Sequence, residues 1–146
     1  MTCYLVMGAP GSGKSSYVQN HLNSLRVISC DEIREKEFGY ERSYRIRFFV
    51  LEIMLDEIKA AYETGRDFVV DSTYFNEGKT RKRLFRYIPA SAVSVVFLNP
   101  GLDACLRQNS RRLGHRRVEA HMIEYLHECL DSPSEEEGFQ TLNTID

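Results

Sequence analysis

The sequence predicts an α/β fold with a mostly parallel sheet of about four or five strands and helices on both faces. Three observations predict it. Short apolar runs alternate with longer segments of helical periodicity. The first run leads directly into a glycine-rich loop that opens a helix. No repeat, low-complexity tract or linker interrupts the 146 residues, a length that suits one domain, 1–146.

The elements follow in order. Residues 3–7, CYLVM, form an apolar run bounded by glycine and read as a buried strand. A helix is expected over 14–24 and a second strand over 26–29, RVIS. Residues 43–63 predict a long helix whose apolar stripe, Tyr44, Phe48, Leu51, Leu55, Ile58 and Tyr62, advances in steps of three and four. Thr64-Gly65 stops it. A third strand is expected over 68–71, FVVD, a basic helix over 77–87, and a fourth strand over 93–98, VSVVFL. Helices over 102–113 and 118–130 flank an arginine-rich joint. Residues 139–145 read as a fifth strand.

Composition narrows the classes. The chain carries 19 basic and 21 acidic residues, a net charge of -2, and 42% apolar residues. That balance argues against coating nucleic acid by bulk charge, although a local basic patch remains open. No apolar run approaches the ~20 residues of a membrane helix, and the N-terminus carries no basic leader, so no membrane partner and a cytoplasmic location are expected. Cys3, Cys30, Cys105 and Cys129 show no metal-ligand spacing, nor do His21, His115, His121 and His127. The expectation is thiols in a reducing compartment and no structural metal. Charge is segregated. From Lys79 to Arg117 the charged residues are basic except for Asp103; from Glu119 onward they are all acidic. The Lys79–Arg86 block reads equally as a solvated helix face or an anion-facing one.

Gly8-Ala9-Pro10-Gly11-Ser12-Gly13-Lys14-Ser15 fits G-x-x-x-x-G-K-[ST], with a strand before it and a helix after it. Gly8, Gly11 and Gly13 let the backbone curl so that successive N–H groups point at phosphate oxygens, and Pro10 and Ser12 complete the turn. The helix opening at Lys14, with Ser16 in its first turn, adds its positive end. Lys14 supplies a point charge for the β- and γ-phosphates, and Ser15 a hydroxyl for Mg²⁺. A nucleoside triphosphate, ATP or another, is therefore the expected ligand.

Three further motifs bear on the chemistry. Asp31 and Arg34 lie three apart on an opening helical turn after the second strand, where Asp31 can accept a proton from a hydroxyl and Arg34 can hold an anion. A capping Asp with a surface Arg is the plain alternative. Asp71-Ser72-Thr73 ends the third strand, placing a carboxylate for the magnesium shell or for orienting an arginine, or simply starting a turn. Arg107-Gln108-Asn109-Ser110-Arg111-Arg112, followed by Gly114, reads as a lid over about 102–117. Its arginines repel one another unless an anion lies between them.

Together G-A-P-G-S-G-K-S-S, D-E-I-R, V-V-D-S-T-Y-F-N and R-Q-N-S-R-R resemble the 5′-polynucleotide kinase family and the related zeta-toxin-like P-loop kinases, over nearly the whole chain. The resemblance implies sheet order 2-3-1-4-5 and the P-loop kinase fold. It implies Lys14 and Ser15 on donor phosphates and magnesium, Asp31 as general base, and Arg34 on the acceptor phosphate. Thr73 would stand beside the acceptor, and Arg107, Arg111 or Arg112 would grip the donor. Tyr74 stands where that family usually has asparagine. The implied reaction is Mg²⁺-dependent transfer of the ATP γ-phosphoryl to a 5′-OH polynucleotide end. Any 3′-end processing or joining would then fall to a separate phosphatase or ligase. Tyr40, Tyr44, Tyr74 and Phe75 are candidates to stack an end base, with core packing the expected role of Tyr44. Two other readings stay open: a kinase of a nucleoside, sugar, nucleotide sugar or antibiotic, and a non-catalytic nucleotide switch.

Overall fold

The structure, a computed structural model, describes residues 1–41 and 43–146, with His115 described by its backbone alone. The expectation that His115 belongs to no metal site therefore lies outside the described residues.

Among the described residues, five strands form one sheet in the order β2-β3-β1-β4-β5. They are β1 (Cys3–Met7), β2 (Arg26–Ser29), β3 (Phe68–Asp71), β4 (Val93–Leu98) and β5 (Thr141–Ile145). Every neighbouring pair is parallel. β1 and β4 are central and apolar almost throughout, as strands covered on both faces must be. β5 is an exposed edge strand, which explains its polar, weakly patterned sequence.

Among the described residues, six helices cover the sheet: α1 (Lys14–His21), α2 (Cys30–Phe38), α3 (Tyr44–Glu63), α4 (Gly78–Leu84), α5 (Leu102–Ser110) and α6 (Ala120–Glu128). Several are shorter than their sequence patterns predict. α1 closes at His21, where the Leu22 N–H still bonds the Val18 carbonyl before the polar Asn23-Ser24 turn. α5 stops at Ser110, whose hydroxyl bonds back to the Arg107 carbonyl at 2.7 Å. This local bond competes with continued helix. The residues before α4 form a separate 3-10 turn over Tyr74–Asn76.

α3 starts at Ser43, whose hydroxyl accepts the Ile46 N–H at 3.2 Å. Its buried face is Val50, Leu51, Met54, Leu55, Ile58 and Ala61. The expected stripe is therefore right in its second half and wrong in its first. Tyr44 is 85% exposed and Phe48 52% exposed. The core-packing role expected of Tyr44 is thus corrected. The Lys79–Arg86 block also differs from a simple solvated face. Arg81 is buried, donates to the Phe75 carbonyl at 2.8 Å and pairs with Glu137 at 2.8 Å. One basic side chain thus ties the acidic C-terminal stretch to α4.

The parallel register places the site. Val6 and Ser29 both stand opposite Asp71. The chain leaves β1, β2 and β3 at nearly one level, so the phosphate loop, Asp31 and Ser72-Thr73 emerge together at the carboxyl edge, where open α/β sheets bind ligands.

Candidate active site

A cavity of about 590 Å³ lies at this edge, and its lining includes Lys14, Asp31, Arg34, Asp71, Thr73 and Arg112. The loop is shaped by close approach. At Gly11, φ +85°, a Cβ would collide with the Cys105 carbonyl of α5; at Gly8, φ +152°, it would strike Ser12 and come within 2.7 Å of the Leu98 carbonyl. Gly13 precedes α1 with no side-chain cap, leaving the first helical N–H groups for an anion. The Ser12 hydroxyl is buried with no hydrogen-bond partner among the described residues. An orphaned polar atom inside a phosphate loop fits a ligand oxygen. Ser16 is exposed on the first turn of α1, and Pro10 lines the cavity.

Lys14 is 8% exposed, and its ammonium reaches the Ala9 carbonyl at 3.4 Å. Burial lowers its pKa, Asp71 partly offsets this, and the nearby Arg112 adds to the lowering. Burial likewise raises the Asp71 carboxyl above the usual carboxylate range, while Lys14 and a hydrogen bond with Ser15 pull it back. The Ser15 hydroxyl and Asp71 carboxylate are hard oxygen donors side by side, and they fit a magnesium ion that keeps waters and phosphate oxygens in its remaining positions. No cluster of three His, Cys, Asp or Glu suited to a metal occurs among the described residues.

On the facing wall, α2 begins directly from β2, and Ser29 accepts the Glu32 N–H at 3.4 Å. This abrupt strand-to-helix turn puts Asp31 at the sheet edge. Asp31 and Arg34 are joined at 2.8 Å, the i,i+3 geometry expected of them. Arg34 also donates to the Tyr74 hydroxyl at 3.2 Å rather than to Asp71. The Cys30 thiol lies at this wall; burial raises its pKa and Asp31 adds to the effect, so it stays protonated. Thr73 lines the cavity just before the Tyr74–Asn76 turn. Phe75 is fully buried, which removes it from stacking an end base.

The arginines of the segment expected as a lid divide. Arg112, Arg116 and Arg117 line the cavity, whereas Arg107 and Arg111 are exposed and do not. Because α5 ends at Ser110, Arg111 and Arg107 do not continue one helical face into the cavity. Arg116 crosses to α2, 3.9 Å from Asp31 and 3.1 Å from Glu35. Asn109 holds the joint: its carboxamide oxygen accepts the Val118 N–H at 2.9 Å and its amide nitrogen donates to the Val118 carbonyl.

Sequence reasoning passes over several of these residues. Asn76 is buried and brackets Gly8, accepting its N–H at 3.0 Å and donating to its carbonyl at 2.8 Å. Arg47 rests on the Tyr74 ring. The V-V-D-S-T-Y-F-N string contains Asn76, but nothing local shows that its partner is Gly8.

Among the described residues no helix is long and apolar enough to cross a membrane. No curated protein matches the sequence. Solved structures do match the fold. A sugar kinase from Janibacter sp. HTCC2649 superposes with TM-score 0.75 at 17% identity, covering 100% of this chain and 85% of that one. A gluconokinase from Sinorhizobium meliloti 1021 gives 0.68 at 20% identity, covering 97% and 81%. A chain of the Pnkp1/Rnl/Hen1 RNA repair complex gives 0.73 at 15% identity, covering 88% and 44%. At these identities the likeness speaks for a P-loop kinase-like architecture. In sequence, the family described as AAA domain matches residues 4–132, from the first strand past α6, and the chain belongs to that family.

Proposed function

We propose that this protein catalyses Mg²⁺-dependent transfer of the γ-phosphoryl of ATP, or another nucleoside triphosphate, to an acceptor hydroxyl held by Asp31. The 5′-OH end of a polynucleotide is the proposed acceptor. The observation that carries the reading is that Lys14 and Asp31 line one cavity, with Arg34 paired to Asp31.

The loop N–H groups, Ser12 and Lys14 hold the donor phosphates. Magnesium, when bound beside Ser15 and Asp71, supplies positive charge to the donor phosphates. Asp31 accepts the proton of the acceptor hydroxyl as its oxygen bonds to the γ-phosphorus. The bond from that phosphorus to the β,γ-bridging oxygen breaks, and the nucleoside diphosphate leaves. Arg34 keeps the Asp31 carboxylate oriented. Arg112, close enough to Lys14 to lower its pKa, is the lid residue best set to meet charge on the transferring group. Arg107 and Arg111 lie outside the cavity lining, so Arg112 takes the role that the resemblance spread over all three.

A second reading, phosphorylation of a small sugar acid, is favoured by the fold neighbours, which include a sugar kinase and a gluconokinase. The test is incubation with γ-labelled ATP and Mg²⁺ against 5′-OH oligonucleotides, nucleosides, sugars and sugar acids, repeated across a salt series. Label on oligonucleotides with a KM rising steeply with salt supports the polynucleotide end. Label only on small polyols replaces it, and label on nothing leaves a nucleotide switch.

A further inference from the structure

We infer that Glu35, one helical turn beyond Asp31 on α2, is a positioning residue: it catches Arg116 and so seats the 111–117 segment with Arg112 at the donor end of the cavity. This rests on the phosphotransfer reading and adds to it the device that sets the donor arginine.

The segment is closed at its base and held at its far side. At the base, Asn109 accepts the Val118 N–H and donates its own amide to the Val118 carbonyl, so the chain leaves α5 and returns to the same point. Between them the backbone is irregular apart from one 3-10 turn, Gly114–Arg116, entered at Gly114 with φ +61°. Leu113 is 87% exposed, so apolar packing does not seat the segment there. Arg116 spans to α2 instead. Its Nε stands 3.1 Å from Glu35 Oε1, and its Nη2 donates to Glu35 Oε2 at 3.4 Å, a forked contact that engages both carboxylate oxygens. Its Nη1 is 3.9 Å from Asp31. Asp31 and Glu35 are four apart on one helix, where two carboxylates repel, and a guanidinium beside both offsets that repulsion.

The second half of the link runs inside the segment. Arg112 Nη1 donates to the Arg116 carbonyl at 3.4 Å, so holding Arg116 also holds Arg112. Arg112 lines the cavity and lies close enough to Lys14 to lower its pKa. A guanidinium fixed before charge develops stabilises the transferring group more than one that must be ordered during the reaction. Glu35 does not line the cavity, so its effect passes through Arg116 and Arg112. The ion pair is partly exposed, and its worth comes from the forked geometry and the link rather than from burial.

The test is steady-state kinetics with γ-labelled ATP, Mg²⁺ and a 5′-OH oligonucleotide, or a sugar acid if that acceptor takes the label. Glu35→Gln keeps the shape and removes the charge. It should lower kcat/KM for ATP about three- to tenfold, as loss of a forked ion pair at a half-exposed site requires. Arg116→Met should do the same, and Arg116→Lys should recover part of the loss. Glu35→Gln should cost nothing further in an Arg116→Met or an Arg112→Ala background, because all three changes break one link. No loss in Glu35→Gln, or a loss that persists in full after Arg112→Ala, would overturn the inference and leave a surface ion pair. If no acceptor is phosphorylated, the reaction reading fails by itself. Amide exchange of the protein with ADP and Mg²⁺ then judges the link, and it also decides if Arg112→Ala is too slow to assay. The Arg112, Arg117 and Val118 amides are hydrogen-bonded to Asn109, Gly114 and Asn109. Glu35→Gln should speed their exchange about threefold or more; unchanged exchange would refute the seating role.

Discussion

Asn76→Ala is the most informative single change, because it touches the phosphate loop without touching a phosphate. Asn76 is 5% exposed and makes two hydrogen bonds to Gly8, one to the N–H and one to the carbonyl. Truncation leaves both backbone groups buried and unpaired, at about 1–3 kcal/mol each when no water replaces the carboxamide. With partial rescue by water the expected loss is about 2–5 kcal/mol, a large share of the roughly 5–15 kcal/mol that holds a domain folded. For a chain of this length that corresponds to a Tm lower by roughly 6–20 °C. Gly8 begins the loop, so nucleotide affinity should fall as well. The assay is thermal and urea unfolding of wild type and variant, each with and without ADP and Mg²⁺. The stabilisation given by nucleotide should shrink in the variant, because the loop must be ordered at the expense of binding. A variant that melts within 2 °C of the wild type, with unchanged nucleotide-linked stabilisation, would refute the idea that Asn76 holds the loop.

Further outcomes are expected. Asp31→Ala should lower turnover about 10²–10⁴-fold with ATP affinity kept; retained turnover would remove Asp31 from the reaction. Arg112→Ala should raise ATP KM or lower kcat, while Arg107→Ala and Arg111→Ala should have much smaller effects; the reverse order in steady-state kinetics would reassign the lid. Burial lowers the Lys14 pKa in the free protein, and donor phosphates would raise it again, so donor binding takes up a proton once Lys14 has lost its own. Affinity should then fall as pH rises through the lowered free-state value, approaching tenfold per pH unit, and the fall should be absent in Lys14→Arg when measured by calorimetry. Asn109→Ala, which frees Val118, should loosen the joint before α6, read as faster amide exchange there and a higher ATP KM.

The aromatic residues show where a one-dimensional pattern gives out. Tyr44 and Phe48 keep the spacing of the buried face of α3, yet both are exposed, because periodicity gives the face of a helix and not which of its turns the rest of the molecule covers. Tyr74 reads as a departure from a family motif, but its hydroxyl takes a hydrogen bond from Arg34 of α2 and its ring carries Arg47 of α3, which makes it a structural centre of the cavity wall. Arg81 reads as one more charge in a basic run and is among the most buried side chains in the molecule.

What the sequence by itself determined is what local chemistry determines. The glycines, Lys14 and Ser15 specify a phosphate loop between strand and helix. Unbroken apolar runs specify buried parallel strands. The i,i+3 spacing brings Arg34 to Asp31. The tertiary structure alone decided which of many arginines turn inward, that Asn76 brackets Gly8 from 68 positions away, and that Arg116 reaches across to α2. Such contacts depend on where helices end and how elements pack, and these are settled by the whole core at once rather than by any stretch of neighbouring residues.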